Sequence, residues 1–166
     1  MFIAALNFIF IAVMSSIYQI NLLKGFSDLH FGQTINEAEK IFGKSEETQE
    51  LNDDILETSC TVLHYWDSGF SLFFDNKHAK KFSSVEVDNE ETLLFSQKIF
   101  QLKEKELIEL MKSHGYDLSD SEQQEWGERR LSFDDAGLDC YFENGRLSSV
   151  NFGVIEEQTT YEFLPN

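Results

Sequence analysis

The chain has 166 residues, 42% of them hydrophobic and 14% aromatic, enough to build a core at the size of one domain or two small ones. Thirty Asp and Glu against 13 Lys and Arg give a net charge of −17, which repels phosphates and argues against nucleic acid and anionic membrane as direct partners. The same charge favours a basic protein partner, and it also serves solubility.

Residues 1–23 carry no charge. Three readings of this stretch stay open. A signal peptide would normally place Lys or Arg ahead of the apolar run, and none is there. A membrane anchor needs about 20 apolar residues, and Asn7, Ser15, Ser16, Tyr18, Gln19 and Asn21 dilute the run. The favoured reading is an apolar N-terminal element over 1–24 that packs on the core, or a start at Met14. On it the protein is cytoplasmic; with a signal or anchor it is exported to the periplasm or cell envelope, and membrane contact is expected only with an anchor.

"FGQTINEAEKIFGK" then reads as a short helix. Thr34 and Glu37 form a capping box, Ile35, Ala38, Ile41 and Phe42 share a face, and Gly43 ends the helix. The acidic stretch that follows has no clear period and reads as a connector. Next come "CTVLHYW", "FSLFFDN" and "FSSVEV", three strands separated by an Asp67–Ser68–Gly69 turn and the loop "KHAKK".

The second half follows the same order. "LKEKELIELMKSHG" is a helix with Leu107, Leu110 and Met111 inward, followed by the acidic connector "YDLSDSEQQEWGE". Strands "RRLSF", "LDCYFE" and "RLSSVNFGV" complete it, the last two joined by the hairpin signal Asn144–Gly145. Apolar positions correspond between the halves: Phe31, Ala38, Ile41 and Phe42 with Phe100, Leu107, Leu110 and Met111. So do Ser83–Ser84–Val85 and Ser148–Ser149–Val150. The expected fold is α+β: two tandem helix–three-strand repeats, over 25–92 and 93–154, sharing a continuous antiparallel sheet with helices on one face, and a C-terminal strand or tail over 155–166.

No P-loop, G-x-G-x-x-G, G-x-S-x-G or H-E-x-x-H sequence occurs. No cofactor, metal site or catalytic residue is expected, and the chain reads as non-enzymatic. Cys60 and Cys140 lack C-x-x-C spacing; two buried thiols are expected, with one disulfide as the alternative in an exported protein. Cys60, His64 and Cys140 as a zinc set is the weaker reading beside a core cysteine and a strand histidine. The acidic connectors carry the candidate binding residues: Glu46, Glu47, Glu50, Asp53 and Asp54 with Tyr65 and Trp66, and Asp120, Glu122 and Glu125 with Trp126. Carboxylates steer a basic partner and aromatics anchor it, although aromatics on strands more often pack.

The helix entry at Gly32, Thr34, Glu37 and Ala38, with its stop at Phe42–Gly43, resembles small bacterial proteins of the SmpA/OmlA and beta-lactamase-inhibitor-protein-like type. That resemblance implies tandem α/β units and binding rather than catalysis. In size and charge the chain is also similar to the acidic immunity proteins of bacterial contact-dependent toxins. The functional expectation is therefore a bacterial immunity protein that neutralises a cognate toxin with a basic surface, such as a nuclease, by occlusion. The alternative is an exported envelope, scaffold or inhibitor module.

Overall fold

In the computed structural model, which describes residues 18–55 and 58–155, Thr34 opens the first helix, α1 (Ile35–Phe42). Its hydroxyl accepts from the Glu37 backbone N–H at 3.4 Å, and the Glu37 carboxylate accepts the Thr34 backbone N–H at 2.7 Å. These bonds hold the Glu37 carboxyl below its ordinary range, the backbone bond from Thr34 contributing most. Ala38 is fully buried, whereas Ile41, expected on the inward face, is exposed. The second helix, α2 (Glu104–Ser113), buries Leu107, Leu110 and Met111. Of the apolar element expected over 1–24, residues 1–17 lie outside the described residues and Gln19–Asn21 form a short strand; of the strand or tail expected over 155–166, residues 156–166 lie outside them.

The remainder is mostly β. A first run of antiparallel strands is β4 (Glu47–Asp53), β5 (Thr58–Tyr65), β6 (Phe70–Asp75) and β7 (Lys81–Val87). A second is β10 (Asp120–Gln123), β11 (Glu128–Phe133), β12 (Leu138–Glu143) and β13 (Arg146–Gly153). They join in an eight-stranded sheet of order β10-β11-β12-β13-β7-β6-β5-β4. At the seam β13 runs antiparallel to β7, with Val150 opposite Val87 and Phe152 opposite Val85. A second sheet, of five short strands, has the order β3-β2-β1-β8-β9. It is built from β1 (Gln19–Asn21), β2 (Gly25–Phe26), β3 (Leu29–His30), β8 (Leu93–Leu94) and β9 (Gln97–Lys98), with β1 parallel to β8.

This architecture corrects the expected pair of helix–three-strand repeats sharing one sheet. The chain is predominantly β, in two sheets, and four strands of the larger sheet follow each helix. The added strands are β4 and β10, formed from the acidic stretches expected to be connectors. Every residue of both is exposed. A strand exposed on both faces needs only backbone hydrogen bonds to its neighbour, so its side chains carry no period-two signal. The strands of the second sheet have two or three residues each, too few to show any period.

Alternation within the large sheet places the core on one face. Leu63, Tyr65, Leu72, Phe74, Phe82, Val85, Leu131, Phe133, Cys140, Phe142, Val150 and Phe152 all point to that side and join one buried cluster with residues of both helices and the second sheet. Phenylalanines knit the layers. Phe26 of β2 packs edge-on against Phe70 at 5.2 Å, and Phe31 meets Phe82 at 5.0 Å.

Both runs turn a corner in the same way. A short 3-10 turn after β5 ends at Gly69 (φ 68°), and one after β11 ends at Gly137 (φ 57°). A Cβ at Gly137 would lie 2.6 Å from the Gly153 carbonyl oxygen, so glycine is required there by both conformation and space. The Gly69 carbonyl accepts the Asp88 N–H and the Gly137 carbonyl accepts the Gly153 N–H, both at 3.0 Å, tying each corner to the strand beside it.

Each run also carries one irregularity, at Phe73/Phe74 and at Tyr141/Phe142. There a serine of the neighbouring strand closes the gap. Ser83 Oγ donates to the Phe73 carbonyl at 3.2 Å, and Ser148 Oγ donates to the Tyr141 carbonyl at 2.9 Å. A bulge disrupts the ladder locally, and these hydroxyls supply the missing donors.

Candidate functional site

The predicted binding residues fall into two groups at opposite edges of the large sheet. β4 is its last strand on one side and β10 its last on the other. At the usual strand spacing the two edges stand on the order of 30 Å apart along the sheet. A single compact contact does not reach both.

At the β4 edge, side chains alternate between the two faces. Thr48, Glu50 and Asn52 lie opposite Leu63, Thr61 and Ser59, on the core side. Glu47, Gln49, Leu51 and Asp53 lie on the other side, opposite His64, Val62, Cys60 and Thr58. Glu50 is held from three directions: Lys80 Nζ at 3.0 Å, Asn76 Nδ2 at 3.0 Å and Thr61 Oγ1 at 2.9 Å. The Lys80 bond, then those from Asn76 and Thr61, lower its carboxyl below the ordinary range. Glu46 Oε1 accepts the Asp67 N–H at 3.3 Å, and Asp53 Oδ1 accepts the Ile55 N–H at 2.9 Å. Asp54 is exposed in the β4–β5 turn.

Trp66, just past β5, is 56% exposed and lies flat on His64, with ring centroids 4.1 Å apart and planes 9° from parallel. Its indole N–H donates to Glu47 Oε2 at 3.3 Å. His64 is buried beneath it, 2.8 Å from Ser71 Oγ through Nδ1 and 3.1 Å from Gln49 Oε1 through Nε2. The indole is thus an exposed plate fixed on a buried, hydrogen-bonded ring, with little side-chain freedom left to lose on contact with a partner.

Tyr65, predicted beside Trp66, takes the opposite side of the strand and sits in the core. Its hydroxyl donates to the Gly43 carbonyl at 2.9 Å. Burial, with Glu39 and Glu46 nearby, pushes the phenol up to about 12. It offers nothing to a partner. Sequence reasoning passed over two apolar side chains at this edge: Leu51, 39% exposed, and Ile55 at the hairpin tip, 93% exposed. Ile55 follows Asp53–Asp54, and an apolar residue inside turn composition is the signal that would have found it.

The β10 edge differs in its electrostatics. Arg130 of β11 lies 2.9 Å from Glu122 and 3.5 Å from Asp120. Burial opposes the Arg130 charge, but Glu122, Asp139 and Asp120 outweigh it and raise the guanidinium. The two acids of this short strand are therefore answered within the chain. Glu125 and Trp126 occupy the β10–β11 turn, Trp126 being 76% exposed.

Cys60 and Cys140 are both free thiols. Cys140 points into the core and Cys60, with His64, to the other face, so the three do not converge on one point. Burial pushes both thiols up. Among the described residues no grouping of His, Cys, Asp and Glu is placed to hold a metal ion. A groove of about 560 Å³ lies between Phe100–Lys103 and Asn144–Leu147, and none of the predicted binding residues lines it. Among the described residues no helix is long and apolar enough to cross a membrane.

No family model and no curated protein matches this chain. Among solved structures it is similar to a DUF4309 family protein from Bacillus subtilis, at 13% identity and a TM-score of 0.44, covering 74% of this chain and 78% of that one. It is also similar to an extracellular protein containing an SCP domain from Bacillus anthracis, at 11% identity and a TM-score of 0.46. That match covers 74% of this chain and 43% of the other. Neither is described as an SmpA/OmlA, beta-lactamase-inhibitor or immunity protein.

Proposed function

We propose that this chain is a non-enzymatic, cytoplasmic binding protein that engages a basic protein partner along the β4 edge, as an immunity protein engages its toxin. One observation carries the reading. Glu47, Glu50 and Asp53 are displayed along an exposed edge strand next to Trp66, an exposed aromatic plate backed by a buried histidine. Acids steer a basic surface to this edge, and the rigid Trp66 ring gives it an anchor. Each edge has one basic side chain on its acids, Arg130 on Asp120 and Glu122 and Lys80 on Glu50, so it is the fixed Trp66 plate beside Glu47 that assigns the contact to the β4 edge.

The test begins with the partner captured from the native host. Its affinity is measured for the wild type, for Trp66→Ala, for Glu47→Lys/Glu50→Lys and for Asp120→Lys/Glu122→Lys. Trp66→Ala and the β4 reversal are expected to weaken binding by tenfold or more, while the β10 reversal leaves it within about threefold. Equal loss from both edges, or none from β4, removes the proposal. Inhibition of the partner's own activity by the wild type checks the neutralising role. Fractionation with N-terminal sequencing checks the compartment.

A further inference from the structure

β4 is an unusual edge in what it lacks. Strands that end a sheet present unpaired N–H and C=O groups, and proteins blunt them with charged side chains, proline, a bulge or a cover; on β4 the device is negative charge alone, which turns away acidic edges and admits basic ones. The seven residues of β4, Glu-Thr-Gln-Glu-Leu-Asn-Asp, include no lysine, arginine or proline. Their register with β5 runs from Glu47–His64 to Asp53–Thr58 without a shift. Among the described residues no strand lies beyond β4, and all seven of its side chains are exposed. β10, at the other edge, has only four residues, and its acids are engaged by Arg130.

Charge then selects the occupant. If two copies paired antiparallel about Glu50, that residue would face itself and Glu47 would face Asp53 of the other copy. Like charges directly opposite one another destabilise a strand pair, so a second copy is a poor fit. A strand with basic residues is a good one. The acids at Glu47, Glu50 and Asp53 recur every third residue, and alternation puts Glu50 on one face and the other two on the opposite face. A partner strand whose own basic residues have that spacing meets Glu47 and Asp53 on one face and shares Glu50 with Lys80 on the other, with an apolar residue against Leu51.

We infer that β4 is a strand-addition edge, and that the partner supplies an extended segment with Lys or Arg at every third position, which joins the large sheet as a ninth strand. This rests on the reading of a basic protein partner and specifies how that partner docks. Backbone hydrogen bonds along β4 would hold the segment, and its basic side chains would set the register.

The test uses the full chain and a nine-residue peptide with lysine at positions one, four and seven in a valine–threonine background. A second peptide has the same sequence and charge but N-methyl groups at alternate backbone nitrogens, which removes the donors needed for a ladder. In physiological salt the first peptide is expected to slow exchange of alternate β4 amides by tenfold or more, leaving β10 unaffected. The methylated peptide is expected to bind at least tenfold more weakly, and Glu47→Lys/Glu50→Lys to abolish protection. Both substitutions are at exposed positions, and a thermal melt confirms that the variant folds.

Equal binding of the two peptides, absence of β4 protection, or failure of the first peptide to bind each overturns strand addition. So does a dimer of the free chain that buries β4, seen by sedimentation and amide exchange. The broader reading survives any of these results if the captured host partner still depends on Glu47 and Glu50. It falls separately if that partner ignores both the charge reversal and salt.

Discussion

Tyr65 ties the end of β5 to the end of α1 through its bond to the Gly43 carbonyl. Tyr65→Phe removes that bond and leaves the carbonyl to find another donor, a loss of about 1 kcal/mol in urea unfolding near neutral pH. Burial of the phenol, with Glu39 and Glu46 nearby, also gives this residue a pH signature. The folded-state phenol is raised from 10 to about 12, so its stabilisation is complete below pH 10 and is lost as pH rises towards 12. The stability difference between wild type and Tyr65→Phe should shrink across that window; a constant difference would contradict the assignment. The serines at the two bulges make a second case. Ser83→Ala and Ser148→Ala each strip a donor from a strand carbonyl, and each should cost about 1 kcal/mol by denaturant unfolding. Both serines are visible in sequence, within Ser83–Ser84–Val85 and Ser148–Ser149–Val150. Their task is not, because it exists only once the bulges at Phe73/Phe74 and Tyr141/Phe142 have formed.

Among the elements, the hairpin of β8 and β9 closes on two residues. Its two turn residues, Phe95 and Ser96, have φ of 50° and 64°, a left-handed pair usually filled by Asn-Gly. Phe95 is held there by stacking on His114, with centroids 3.7 Å apart and planes 2° from parallel. Ser96 has no such compensation. Ser96→Gly should therefore relieve backbone strain and raise stability by roughly 0.5 kcal/mol, read as a higher melting temperature. The Asn144–Gly145 turn shows what the sequence signals well: it has the same pair of positive φ angles and was legible from two letters. β4 and β10 show the opposite. Acidic and exposed throughout, they have no apolar face to announce a strand, and only pairing with β5 and β11 makes them one. Edge strands of this kind escape a reading based on hydrophobic period.

Over the whole molecule the charge of −17 acts on stability and on binding with opposite sign. Self-repulsion among the acids is screened by salt, so the melting temperature of the free chain should rise between 20 and about 300 mM sodium chloride. Affinity for a basic partner should fall over the same range, by about tenfold. If both move together, the electrostatic account of the β4 edge is wrong.

From sequence alone the chain's acidity, the two capped or glycine-stopped helices, six of the longer strands and the turn at Asn144–Gly145 were legible, because each depends on composition or on residues close together in the chain. Tertiary structure decided the rest. It converted two acidic connectors into opposite edges of one sheet, turned Tyr65 inward and Trp66 outward, and separated residues that looked like one binding set. The physical reason is common to all three. Backbone pairing between distant segments determines where a strand lies and which way its side chains point, and unlike hydrophobic burial it leaves no mark on the side chains themselves.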